Sequence, residues 1–257
     1  MPMRLTILGS GTNVHPTRAA AGYLVKTDQL LLFDFGPRTL KNLMKAGIDR
    51  HRIRHILFSH FHADHFADFV HFFFDAVFHS RFVGKRPDLT IIGPRGTRKL
   101  FGIMLNTFPG FNTARFRTTI REVKDQAFTI GRTRVTARTV EHSRRLHCLG
   151  YRIEYGGKVL AYSGDSMYCE NLVRLCRNAD VAVLDCSFPV QRRETTNHMH
   201  AGDCGRVARE AGVKRLILSH FYPVAERYDV KAQAGQIYKG RIVKGKDFLN
   251  VVIRKFR

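Results

Sequence analysis

The chain has 257 residues, 44% of them hydrophobic and 25% charged, which allows one large domain with a full core. No apolar stretch is clean enough to span a bilayer: the richest, 66–82, is broken by Asp68, His71, Asp75, His79 and Arg81. Five cysteines (Cys148, Cys169, Cys176, Cys186 and Cys204), odd in number and without a Cys-x-x-Cys pair, argue against a disulfide framework or a cysteine zinc site. They are expected to be small buried residues. The N-terminus lacks the basic start and apolar block of a signal peptide, so a cytoplasmic protein without membrane contact is expected. A net charge of +22, densest between Arg81 and Arg145 and again over 231–257, steers polyanions. Few aromatics alternate with those charges, so no stacking groove for single strands is evident.

In chain order, 3–8 reads as a strand followed by the turn-rich Gly9-Ser10-Gly11-Thr12-Asn13. Segments 22–25 and 30–35 form a hairpin pattern around Asp28 and Gln29. Pro37 and Gly47 bracket a helix over 38–46. A buried strand over 53–59 precedes a Phe-rich helix over 66–81. A strand at 90–92, a helix over 97–106 and strands over 115–123, 134–140, 150–155 and 158–162 come next, with Gly156-Gly157 as the turn between the last two. A helix over 170–177, a strand over 181–185, a helix over 203–211 closed by Gly212 and a strand over 215–219 complete the pattern. This order predicts two mixed sheets packed face to face with helices outside, a four-layer αββα sandwich in one domain spanning 1–257.

Residues 60–65, directly after the apolar run 53–59, read His60-Phe61-His62-Ala63-Asp64-His65. So many imidazoles and carboxylates repel when protonated and cost desolvation when buried, unless a cation collects them. His60 and His62 point the same way in an extended loop, and Asp64 and His65 face a second point nearby. One zinc takes four protein ligands or fewer, so this surplus suggests two metals. His142, Asp165 and His220 each follow a predicted strand, and strand ends along one edge of a layered fold cluster in space.

The set His60-x-His62-x-Asp64-His65, His142, Asp165 and His220 resembles the metallo-β-lactamase superfamily. Leu8-Gly9-Ser10-Gly11-Thr12, Ala21-Gly22-Tyr23-Leu24-Val25, Phe33-Asp34-Phe35-Gly36-Pro37, Ile92-Gly93-Pro94, Tyr162-Ser163-Gly164-Asp165 and Leu218-Ser219-His220-Phe221 resemble its ribonuclease Z group. The resemblance implies that His60, His62 and His142 hold one metal, that Asp64, His65 and His220 hold the other, and that Asp165 bridges them. The ions would be two divalent metals, zinc first, with manganese or iron able to occupy the same ligands. Roughly 3.5–4 Å apart, they would share a hydroxide available near neutral pH, which Asp64 could orient or deprotonate. Asp34 would support the metal loop by hydrogen bonding.

In ribonuclease Z-like proteins a His placed before an Ala-Gly pair protonates the leaving group, and that spacing from Ala211-Gly212 selects His198. His200 falls where the family has a small hydroxyl residue and reads as a helix cap or surface side chain. His15, His51, His55, His71, His79 and His147 match no motif position. Only 22 residues separate His142 from Asp165, filled by a compact hairpin where ribonucleases of the Z type carry a long arm that grips transfer RNA. The resemblance therefore implies a metal-dependent phosphodiesterase acting on RNA or on a small or cyclic phosphodiester. Alternatives are hydrolysis of a lactone, thioester or aryl sulfate, and a mononuclear-iron sulfur dioxygenase. Phe66, Phe69, Val70, Phe73 and Val77 take core-facing positions on their helix, which leaves Phe72, Phe74 and Phe78 pointing elsewhere, to be covered by later segments of the chain or by a partner. The resemblance to ribonuclease Z-like enzymes, often dimers, implies a homodimer.

Overall fold

The computed structural model describes residues 2–192 and 197–254. Fourteen strands among them form two seven-stranded sheets. The first is built from β1 (Met3–Gly9), β2 (Gly22–Lys26), β3 (Leu30–Phe33), β4 (His55–Leu57), β5 (Leu89–Gly93) and β6 (Thr118–Glu122). The second uses β7 (Gln126–Ile130), β8 (Thr133–Val140), β9 (Cys148–Tyr155), β10 (Lys158–Tyr162), β11 (Val181–Asp185), β12 (Arg215–Ser219) and β13 (Arg241–Lys244). The last strand, β14 (Asn250–Ile253), returns to the first sheet and pairs antiparallel with β1. Both sheets change character midway. The order β14-β1-β2-β3 is antiparallel and β3-β4-β5-β6 parallel, just as β7-β8-β9-β10 is antiparallel and β10-β11-β12-β13 parallel.

Alternation of side chains along each strand sends one set inward. Leu5, Ile7, Tyr23, Phe33, Val135, Tyr151, Ile153 and Ile217 belong to one buried cluster between the two sheets. The opposite faces carry helices. Outside the first sheet, Leu24, Leu32, Ile56 and Ile91 pack with α2 (Ala63–Phe82) and α3 (Thr97–Thr107), alongside α1 (Thr39–Lys45). Outside the second, Ala161, Ala182, Leu184, Leu216 and Leu218 pack with α4 (Glu170–Cys176), α5 (Ala201–Glu210) and α6 (Val230–Ile237). These layers are the predicted αββα sandwich.

The hairpin between β9 and β10 turns on Gly156 (φ 57°) and Gly157 (φ 70°), a two-residue turn with both residues left-handed. All five cysteines are free and buried. Three strands had no clear trace in the sequence, namely β7, β13 and β14, and each is an edge strand of its sheet. An edge strand loses one neighbour, and Arg241–Lys244 accordingly buries none of its four residues fully. Helix α6 was equally hidden, because only Val230 and Ala234 of it are buried.

Helix α2 corrects one expectation. Phe69, Phe73 and Val77 are buried as predicted, but so is Phe72, whose ring meets Phe35 edge-on at 5.3 Å. The chain after β3 crosses the start of α2, with Phe35 N–H donating to His65 C=O and Asp68 N–H to Phe35 C=O. The buried arc is therefore wider than one stripe.

Candidate metal centre

Six strands end at one edge and bring together residues at or within three positions of their ends: β3 delivers Asp34, β4 His60, β8 His142, β10 Asp165, β11 Asp185 and β12 His220. Helix α2 starts inside this cluster. His62, extended at φ −69°, is its N-cap, which puts Asp64 and His65 in the first turn, where a carboxylate is favoured by the helix dipole. The approach of this turn to the β3 loop needs glycine at 36: a Cβ there would lie 1.9 Å from the Asp64 carbonyl oxygen. His220 itself is held left-handed at φ 63°, a costly conformation for a non-glycine residue, fixed by Phe221 N–H donating to Ser10 C=O.

The seven residues expected to hold metals fall into two groups that meet at Asp165. His60 Nε2 lies 2.9 Å from His62 Nδ1, which lies 3.1 Å from His142 Nε2. Asp165 Oδ2 faces this group, 3.7 Å from His60 Nε2 and 3.8 Å from His142 Nε2. On the other side, His65 Nε2 and His220 Nε2 are 3.2 Å apart, with Asp64 Oδ2 3.4 Å from His220 Nε2. Asp165 Oδ1 faces that second group at 3.1 Å from His65 and 3.3 Å from His220.

Nitrogens that point at one another across three ångströms need a shared cation or a precise set of tautomers. Asp165 Oδ1, buried, accepts no hydrogen bond. Its neighbours are pulled in opposite electrostatic directions. Burial, with His65 close by, holds His60 well below its ordinary pKa of 6.5. Burial opposes charge on His65 too, but Asp165 and Asp34 overcome it and push that imidazole up to about 10. The donor set, imidazole nitrogens with carboxylate oxygens around an orphaned acceptor, fits divalent metals.

A shell of hydrogen bonds orients these ligands. Asp34, the expected support residue, accepts from Ser59 N–H and Ser59 Oγ–H, both at 2.7 Å, and from Tyr162 O–H at 2.5 Å. It also lies 2.8 Å from His65 Nδ1, which leaves His65 Nε2 turned into the cluster. His142 Nδ1 is 2.6 Å from Asn197 C=O, with the same consequence.

His198 joins the cluster through a partner that the sequence reading missed. Its Nδ1 sits 2.8 Å from Asp185 Oδ2, and the ring stacks on His220 with centroids 5.5 Å apart. Burial disfavours its charged form, yet Asp185 more than offsets this and the pKa of His198 is raised. Asp185 is buried and accepts from Ser166 N–H at 3.1 Å, Ser187 N–H at 3.1 Å and Ser187 Oγ–H at 2.6 Å. The available signal was its place at the end of a buried strand, the same position that marks His220. His200 instead caps α5: its Nδ1 accepts from Asp203 N–H, while Asp203 accepts from His200 N–H. An open cavity of about 1100 Å³ borders His142 and His198, walled by Arg144, Arg145, Met167 and Tyr168 among others. No helix among the described residues is long and apolar enough to cross a membrane.

Residues 30–221 match the family described as Beta-lactamase superfamily domain. An uncharacterised protein of Mycobacterium tuberculosis is 32% identical over 93% of this chain and 88% of its own length. The ribonuclease Z of Mycobacterium bovis is 27% identical over 99% of this chain and 100% of its length. Among solved structures, the metallo-β-lactamase fold protein YhfI from Bacillus subtilis superposes with a TM-score of 0.85 at 25% identity, covering 98% of this chain and 99% of that one. With its two mixed sheets and its His/Asp cluster at their edge, the chain belongs to the metallo-β-lactamase superfamily of hydrolases, as a ribonuclease Z-like member.

Proposed function

We propose that the protein is a dinuclear metal-dependent phosphodiesterase, with zinc as its first-choice ion, in which His60, His62 and His142 hold one ion, Asp64, His65 and His220 the other, and Asp165 bridges. The observation that carries this reading is the division of the Asp165 carboxylate, whose two oxygens each face a different histidine group. When bound there, the ions would supply Lewis acidity towards a phosphoryl oxygen and an activated water near neutral pH. Asp64, beside His220 in the second group, would orient that water or take its proton. His198 supplies the second proton function. With Nδ1 committed to Asp185, its other ring nitrogen is free to donate to a departing alkoxide, a poor leaving group without a proton. Asp185 acts through His198 and is a positioning residue. This dyad favours a substrate with an alkoxide leaving group over a thioester or aryl sulfate, whose thiolate or phenolate needs less help, and the basic surface favours the phosphodiester over a lactone. The substrate is a phosphate-bearing molecule, either RNA or a small or cyclic phosphodiester.

The test is metal analysis of the purified protein coupled to a screen with bis-p-nitrophenyl phosphate, cyclic nucleotides, a lactone and a precursor transfer RNA. Two ions per chain with turnover confined to phosphodiesters is the expected result. A single ion in fully metallated protein, or turnover of the lactone alone, overturns it.

A further inference from the structure

Beside α4, the outer face of the second sheet opens into a cleft of about 480 Å³ whose lining includes five arginines. Arg134 and Arg138 come from β8, Arg152 from β9, Arg174 from α4, and Arg177 from the turn just past it. Part of this charge is already matched. Arg134 and Arg152 lie 3.5 and 3.1 Å from Glu154, and Arg174 lies 2.6 Å from Glu170. The remaining carboxylate of the lining, Asp125, is engaged by Thr139 N–H and Oγ–H. Arg138 and Arg177 are left over: among the described residues neither guanidinium has an ion-pair or hydrogen-bond partner.

The cleft is aligned with the metal centre. Arg134 and Arg138 project from the same face of β8, four residues apart, which is about 13 Å of extended chain. His142 follows four residues beyond Arg138. At that end, Arg144 and Arg145 wall the cavity that borders His142 and His198. The strand that delivers a metal-site histidine thus carries a row of cations leading away from it.

We propose that this cleft is an exosite for the sugar–phosphate backbone of a single-stranded nucleic acid whose scissile bond lies at the His/Asp cluster. It rests on the phosphodiesterase reading above and selects a polymeric substrate within it. Arginine forks match phosphate oxygens in pairs. No aromatic side chain lines the cleft, so contact is to the backbone and independent of sequence. The cleft also has no exposed large apolar side chain to enter a bilayer, since the exposed phenylalanines of α2 belong to the helix layer outside the other sheet. The short hairpin between His142 and Asp165 leaves a polymer no protruding arm to hold it, and the cleft provides a grip on the body of the fold.

The experiment compares the metallated protein with its Arg138→Glu/Arg177→Glu double variant. Fluorescence anisotropy with a phosphorothioate-linked single-stranded RNA, long enough to reach from the cluster past Arg134, gives affinity as a function of salt. Hydrolysis of bis-p-nitrophenyl phosphate, too small to reach the cleft, reports folding and the metal site. The expected result is RNA affinity at least about tenfold weaker in the variant, a loss of roughly 1.4 kcal/mol. The slope of log affinity against log salt should become shallower by about 0.7 for each lost contact, with small-substrate turnover unchanged. Equal affinity and slope in the two proteins overturns the exosite, and so does absence of RNA binding by the wild-type protein, while the phosphodiesterase reading still stands on the small substrate. Binding to anionic phospholipid vesicles that is as tight as to RNA and lost in the same variant overturns the assignment to nucleic acid. If bis-p-nitrophenyl phosphate is not turned over but RNA binding falls in the variant, the cleft still binds nucleic acid, while the phosphodiesterase reading fails and with it the placing of a scissile bond at the cluster.

Discussion

At the scale of single residues, the cluster is a problem in charge that metal binding resolves. Asp165→Ala removes both oxygens that face the two histidine groups, so metal content should fall more than for any single histidine variant, as read by elemental analysis of dialysed protein. An unchanged ion count would remove Asp165 from its bridging place. On the proposed two-ion reading, ions bind the folded cluster more tightly than the unfolded chain, so chelation should also lower stability. At about a hundredfold excess of free ion over its dissociation constant the linkage is worth about 2.7 kcal/mol, or roughly 5–10 °C in melting temperature for a chain of this size. A melting curve indifferent to chelator would contradict a metal-linked fold. His198→Ala tests the proton donor separately: turnover of unactivated phosphodiesters should drop by about 10²–10⁴-fold at constant metal content. The loss should shrink with p-nitrophenolate, which leaves without a proton. An equal loss on both substrate types would assign His198 to structure.

At the scale of elements, the sequence was most legible where burial is deepest. Strands β10, β11 and β12 were located to the residue, because each is apolar, short and ended or soon followed by a residue with no reason to sit in a core: Asp165, Asp185 or His220. That the residues of the His/Asp cluster come together was readable for a related reason, since imidazoles and carboxylates stand out against apolar runs. Asp185 escaped because one acidic residue at a strand end has many bland explanations, and its partner His198 is distant in sequence. The inner side of α2 escaped differently, since the crossing of the β3 loop over its first turn is a tertiary event that periodicity cannot register. That crossing makes Phe72 a core residue. Phe72→Ala should destabilise the protein by about 3–5 kcal/mol in denaturant unfolding, the cost of removing a buried aromatic ring and leaving its cavity. A change under about 1 kcal/mol, within the range of surface substitutions, would return Phe72 to the surface. Gly36→Ala should be at least as disruptive to the site, because its Cβ would collide with the backbone of the turn that carries Asp64 and His65.

At the scale of the whole molecule, the two helix layers differ in what they leave exposed. Three phenylalanines on α2, Phe74, Phe78 and Phe82, are 57%, 51% and 67% exposed, and Val83 beside them is 66% exposed. They recur every four residues and so form one stripe along the helix, with Phe78 and Phe82 in ring contact at 5.1 Å. Such a stripe is self-complementary: a twofold axis across α2 would lay it on the same stripe of a second copy and bury six rings. The basic surface argues for the same occupant. With a net charge of +22, an acidic or nucleic-acid partner is drawn to arginine-rich ground such as the β8 cleft, whereas an apolar stripe gains nothing from either. Dimerisation through the last two turns of α2 also leaves the His/Asp cluster at its first turn and the β8 cleft on the other sheet open. Light scattering at micromolar concentration should therefore give about twice the 29.5 kDa of one chain. Phe78→Asp should return the mass to that of a single chain while turnover of a small phosphodiester persists, because the substituted residue is remote from the cluster. A wild-type protein that scatters as a monomer ends this assignment, and a dimer indifferent to Phe78→Asp moves the interface elsewhere.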